Sequence, residues 1–132
     1  MSRDVTYLDS SALVKLVAGE QHAEALGAWL IDRPSQASSA LAKVEVLRAV
    51  RSLGPEGIAR AYLVLRGLYL IAVDDRVLDA AAVLDPAVMR SLDAIHLAAA
   101  RSLGSDLDVV ISYDQRMLEG ARLLGLPTAS PT

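Results

Sequence analysis

The stretch Val5-Thr6-Tyr7-Leu8-Asp9-Ser10-Ser11-Ala12-Leu13-Val14 opens with four residues of β-forming character, reaches an acid, and turns through two serines into a helical pattern. A strand that passes directly into a helix is the first half of a βα unit, and repetition of that unit builds a largely parallel sheet. In open sheets of this kind, ligands and chemistry collect outside the carboxyl ends of the strands. Asp9 stands at such an end. The plainer reading of the same residue is an N-cap on the helix that follows.

Working outward, Ser11 to about Val17 reads as a short helix broken at Ala18-Gly19-Glu20. His22 to Ile31 reads as a second helix, with Ala25, Leu26, Trp29 and Leu30 in an apolar stripe. Asp32-Arg33-Pro34 stops it, and Gln36 to Ser38 forms a brief strand. Ala40 to Leu53 is one helical pattern up to the Gly54-Pro55 pair, after which Pro55 opens a helix to about Arg66. Leu68 to Val73 is a continuous apolar run of the buried-strand type. Helices follow at Asp74–Leu84 and Ser91–Leu103, with Asp85-Pro86 between them. Asp108 to Ser112 is the clearest strand, Asp114 to Leu124 the last helix, and Leu126 to Ala129 an added edge strand. The tail Ser130-Pro131-Thr132 is expected to be loose. This alternation predicts an α/β fold, a three-layer sandwich with a short, mostly parallel central sheet flanked by helices, in one domain over residues 1–132.

The chain has 132 residues, 53% of them hydrophobic, yet no Phe and one Trp, so Ala, Leu and Val fill the core. No apolar run approaches the roughly 20 residues of a membrane span, and the first residues lack a signal-peptide layout. With no cysteine, disulfides, thiolate nucleophiles and Cys-type zinc sites are excluded. A soluble, cytoplasmic protein is expected. The net charge of −3 argues against indiscriminate binding of nucleic acid. Lys15 and Lys43 are the only lysines, so its positive charge is nearly all Arg, which suits bidentate phosphate contacts and equally suits solvated helix faces.

Three further acids are candidates for partnership with Asp9. Asp114 follows a strand and precedes a helix, and Asp93 lies in a first helical turn, where the helix dipole favours a carboxylate. Glu45 is harder to set aside as a surface residue, because Leu41, Ala42 and Ala49 lie one turn away on either side. An unpaired buried charge is costly, so a carboxylate on an apolar face has something to bind. Gathering several carboxylates raises their pKa values unless a cation neutralises them. Oxygen-only ligands with open positions suit Mg²⁺ or Mn²⁺, as one ion or as two about 4 Å apart, and such a site hydrolyses phosphodiesters. His96, beside Ile95 and Leu97, is assigned to packing with a hydrogen bond to satisfy its ring, and His22 to an exposed helix start.

Tyr7-Leu8-Asp9-Ser10-Ser11-Ala12-Leu13-Val14-Lys15-Leu16, Glu45, Ser91-Leu92-Asp93-Ala94-Ile95-His96-Leu97-Ala98-Ala99-Ala100 and Ser112-Tyr113-Asp114 resemble the successive motifs of PIN domains, more narrowly the VapC toxins of VapBC toxin–antitoxin pairs. The resemblance implies a Mg²⁺-dependent endoribonuclease, with Mn²⁺ able to substitute, that cleaves cellular RNA and so blocks translation. It implies Asp9 and Asp93 as the main metal ligands. Glu45 and Asp114 would complete the acidic pocket, through water or by orienting the nucleophile, and Ser10 and Ser112 would add hydroxyls. It also implies a homodimer and a VapB-like antitoxin partner. Some relatives carry a further acid three residues after the last motif Asp. That place is Met117 here, which bears on a second metal position and not on the first.

Two rival classes are disfavoured by spacing. A phosphoacceptor receiver domain wants a Lys near the last strand, and a dehalogenase-type phosphatase wants an Asp where Ser11 stands. A non-catalytic PIN-like binding module would have lost one of the four acids. A PIN nuclease of RNA maturation or decay without an antitoxin remains a distinct alternative. The helices between Ala40 and Leu70 carry more apolar residues than a monomer core needs, and a groove for a partner helix is expected there.

Overall fold

The computed structural model describes residues 3–87 and 89–132. Five strands, β1 (Val5–Leu8), β2 (Gln36–Ser39), β3 (Tyr69–Ile71), β4 (Leu107–Ile111) and β5 (Thr128–Ala129), form one sheet in the order β3-β2-β1-β4-β5. Every pairing is parallel. The helices are α1 (Ser10–Ala18), α2 (Ala23–Leu30), α3 (Leu41–Ala49), α4 (Gly54–Arg66), α5 (Asp75–Ala82), α6 (Ser91–Ser102) and α7 (Gln115–Leu123). None of the described helices is long and apolar enough to cross a membrane.

Successive strand residues point to opposite faces, and the core divides accordingly. Leu8, Val109 and Ile111 pack with Leu13, Val17, Leu26, Val46, Ala61 and Leu65 of the first four helices. Tyr7, Ala37 and Val110 pack on the other face with Val77 of α5 and Ala98, Ala99 and Ala100 of α6. Leu97 then carries α6 onto Met117 and Ala121 of α7. The α/β sandwich expected from the sequence is therefore the observed architecture.

Strand order reverses between β1 and β4, whose register sets Leu8 against Ile111. A crevice at such a reversal is the usual ligand site of an open α/β sheet. The chain leaves β1 at Asp9, whose N–H still bonds Ile111 O at 3.1 Å, and leaves β4 at Ser112. The two acidic turns are thus neighbours through sheet register alone.

Four expectations are corrected. The run Leu68–Val73 forms only the three-residue strand β3, with Ile71 buried and Tyr69 67% exposed, because β3 is the edge of the sheet among the described residues. The helical pattern from Ala40 to Leu53 is interrupted: α3 ends at Ala49 and a 3-10 turn spans Arg51–Leu53. The tail is tied down, since Ser130 Oγ donates to Ser112 O at 2.6 Å and Tyr113 Oη donates to Pro131 O at 2.7 Å. His22 is half-buried at the positive φ of 72° and stacks on Tyr113 with ring centroids 6.3 Å apart.

Gly57 in α4 lies against the 3-10 turn, where an added Cβ would stand 2.4 Å from Leu53 Cβ. Replacing a mid-helix Gly by Ala ordinarily gains about 1 kcal/mol. Here overpacking reverses the sign, and Gly57→Ala is expected to cost about 1–3 kcal/mol in thermal denaturation. A raised melting midpoint would show that the Leu53 turn yields freely.

Candidate active site

Asp9 is 3% exposed and caps α1. Its Oδ1 accepts from Ala12 N–H at 3.0 Å and from Ser11 Oγ at 2.6 Å, while Oδ2 accepts from Ser112 Oγ at 2.5 Å. The N-cap reading of Asp9 holds geometrically, and its hydrogen bond to Ser112 ties it to the end of β4. Burial pushes its carboxyl above the usual carboxylate range, against the pull of these hydrogen bonds.

Asp114 caps α7 in the same manner, accepting from Arg116 N–H at 3.0 Å. Ser112 links the two acids, because its Oγ donates to Asp9 and accepts from Asp114 N–H at 3.1 Å. Asp93 sits in the first turn of α6, half-buried. Burial raises its pKa, and the like charges of Asp114 and Asp9 raise it further, with Arg116 opposing. Ser112 thus joins the Asp9 and Asp114 turns directly, and Asp93 feels the charge of both acids.

Glu45 belongs to a second network. Its Oε1 accepts from Ser10 Oγ at 2.5 Å and from His96 Nε2 at 2.7 Å. His96 Nδ1 lies 2.6 Å from Tyr7 Oη. Burial pushes the Tyr7 phenol far above its usual ionisation range, so its O–H stays protonated beside Nδ1 while Nε2 faces Glu45. Burial also presses Glu45 upward, but the hydrogen bonds from His96 and Ser10 outweigh it and hold the carboxyl below its ordinary value. Glu45 is therefore ionised and oriented, and joins the site through Ser10, the residue next to Asp9.

Sequence reasoning overlooked Ser11, whose Oγ both donates to Asp9 and accepts from Tyr113 N–H at 3.0 Å. It gave His96 packing and a hydrogen bond to satisfy its ring, without the partners Tyr7 and Glu45. The legible signal was spacing: His96 lies three residues after Asp93, on the same face of one helix.

Among the described residues, no three His, Asp or Glu side chains are grouped so as to enclose a metal ion. Mg²⁺ does not need such a cage, since it keeps several waters and engages one or two carboxylates together with substrate phosphates. Of the roughly four lone-pair positions on a carboxylate, Asp9 uses three, which leaves one on Oδ2. An all-oxygen set with two carboxyls raised by burial, and one of them by like charge, fits a hard divalent cation.

Residues 6–123 match the family model described as PIN domain. Ribonuclease VapC46 of Mycobacterium tuberculosis is 45% identical over 126 residues, covering 96% of this chain and 97% of that protein. Ribonuclease VapC47 of the same species is 41% identical over 130 residues, covering 95% and 96%. Ribonuclease VapC35 is 41% identical with the same coverage.

Two outcomes test the geometry. A carboxyl with a raised folded pKa stabilises the fold below its unfolded value, near pH 3.9, and loses that contribution as pH rises through the folded pKa. In metal-free protein, the melting midpoint of Asp9→Asn minus that of wild type should therefore increase from pH 4 to pH 7, and a constant difference would contradict the raised pKa. His96→Ala strips a hydrogen-bond partner from both Glu45 and Tyr7 and leaves a buried void. It should cost about 2–4 kcal/mol in chemical denaturation.

Proposed function

This chain belongs to the PIN-domain family, in its VapC branch, and we propose that it is a Mg²⁺-dependent endoribonuclease, the toxin of a type II toxin–antitoxin pair. The observation that supports the reading is the match of residues 6–123 to the PIN family, together with the joining of the Asp9 and Asp114 turns by Ser112 at the reversal of strand order. The relatives' names supply the substrate class, RNA.

In this proposal Asp9 and Asp93 hold Mg²⁺, or Mn²⁺ in its place, and Asp114 reaches the ion through water. The ion supplies Lewis acidity toward the phosphodiester and lowers the pKa of water. Ser112 and Ser11 fix the Asp9 carboxylate, so its free lone pair keeps one direction. Glu45, held ionised by His96 and Ser10, accepts a hydrogen bond from the attacking water and aligns it on phosphorus. A VapB-like antitoxin masking the site, a homodimer and a cytoplasmic location complete the proposal, with translation blocked by cutting cellular RNA.

Incubation of total cellular RNA with purified protein in Mg²⁺ or Mn²⁺ against EDTA, with new ends mapped by sequencing, tests this directly. Metal-dependent cuts at few sites are expected, absent from Asp9→Ala and Asp93→Ala. Ser112→Ala, which loses only the support of a ligand, should fall about 10- to 100-fold. A folded wild type that neither cuts RNA nor binds Mn²⁺ would sink the catalytic reading.

A further inference from the structure

Beside Asp93 the surface opens into a cavity of about 240 Å³. Pro86, Met89 and Leu123 give it an apolar wall, Arg90 and Arg116 line it with guanidinium groups, and Glu119 adds one carboxylate.

Helix stability does not account for the two arginines. Arg90 is the N-cap of α6 and Arg116 stands in the first turn of α7, where the positive end of each helix disfavours a cation. Both are exposed, and among the described residues neither forms an ion pair with a carboxylate. A bound anion would reverse the sign of both placements, because guanidinium forks and helix N-termini then act on it together. The cavity shares Asp93 with the acid cluster, so a polyanion with one phosphodiester at the acids extends naturally into it. Met89 of the wall also packs on the core beside Leu97 and Met117, but Leu123 is 64% exposed, and a purely inorganic anion would leave it uncovered. A nucleobase can use that wall, because every base has an apolar face and Met and Leu pack against it.

On the premise that the protein acts on RNA, we infer that this cavity seats the nucleotide next to the scissile phosphodiester. Arg90 and Arg116 hold its phosphate, Pro86, Met89 and Leu123 pack its base, and Glu119 is placed to accept from an exocyclic amino group. The cavity thereby gives a net acidic protein a local means of holding a strand against its own carboxylates.

The test is fluorescence anisotropy with a labelled single-stranded RNA of mixed sequence, in EDTA so that nothing is cut. The Arg90→Gln/Arg116→Gln double variant should bind roughly ten- to a hundredfold more weakly. The slope of log affinity against log salt should shrink by about 0.7, the share of the one phosphate that the two arginines hold. Leu123→Ala should weaken binding severalfold with the slope unchanged, as removal of a base contact does. Equal affinity and slope in the double variant, with RNA cleavage intact, overturns the inference and leaves the ribonuclease reading standing. A wild type that neither binds nor cuts RNA overturns both. Binding of a polyglutamate peptide with the same dependence on the two arginines assigns the cavity to a protein partner and overturns the nucleotide.

Discussion

Carboxylates repel, and several of them cannot share one end of a sheet unless each is individually compensated. The compensation here is structural. Asp9 is the N-cap of α1, Asp93 lies in the first turn of α6, and Asp114 is the N-cap of α7. Each acid faces the positive end of a helix, an arrangement that stabilises by about 0.3–1 kcal/mol per charge at an exposed site. Parallel topology makes this possible, because strand after strand ends on the same side and a helix begins there. Glu45 sits inside α3, away from any helix end, and it is the acid that receives the His96 hydrogen bond instead.

His96 connects the two halves of the core. Its ring is 2% exposed and lies between Tyr7, a strand residue 89 positions away, and Glu45, 51 positions away. A buried imidazole with both nitrogens engaged is held in one orientation. Tyr7 sets that orientation from beneath the sheet's end, so the position of Glu45 depends on a phenol that never reaches the crevice. The Ser10 hydroxyl, shared with the turn that carries Asp9, then ties Glu45 to the first acid.

The architecture was legible because the βα rhythm is local. Each strand ended by an acid or a small residue announces itself within ten residues, and the four acids stood out by position. What escaped had tertiary causes. No Gly or Pro marks the break after Ala49, since the chain leaves α3 at Val50 to meet α4, and packing rather than propensity ends the helix. The run around Tyr69 has the composition of a buried strand, and only its place at the sheet's edge leaves Tyr69 exposed. The tail looked free until Tyr113 and Ser112, 18 residues earlier, supplied its partners. His96 was ambiguous because its meaning depends on residues 51 and 89 positions away.

Capping and the proposed metal binding make compatible demands on one carboxylate, so neither reading of Asp9 displaces the other. An N-cap must present a carboxylate oxygen at fixed distance from backbone N–H groups, and a metal ligand must present one at fixed direction to solvent. One carboxylate has enough lone pairs for both tasks. Asp9 spends three on the protein and is buried, whereas Asp114 and Asp93 are more exposed. The site is thus rigid at its base and adjustable at its rim. In the proposed reaction that gradient suits an ion whose first ligand must be preset and whose remaining coordination is completed by water and a phosphate.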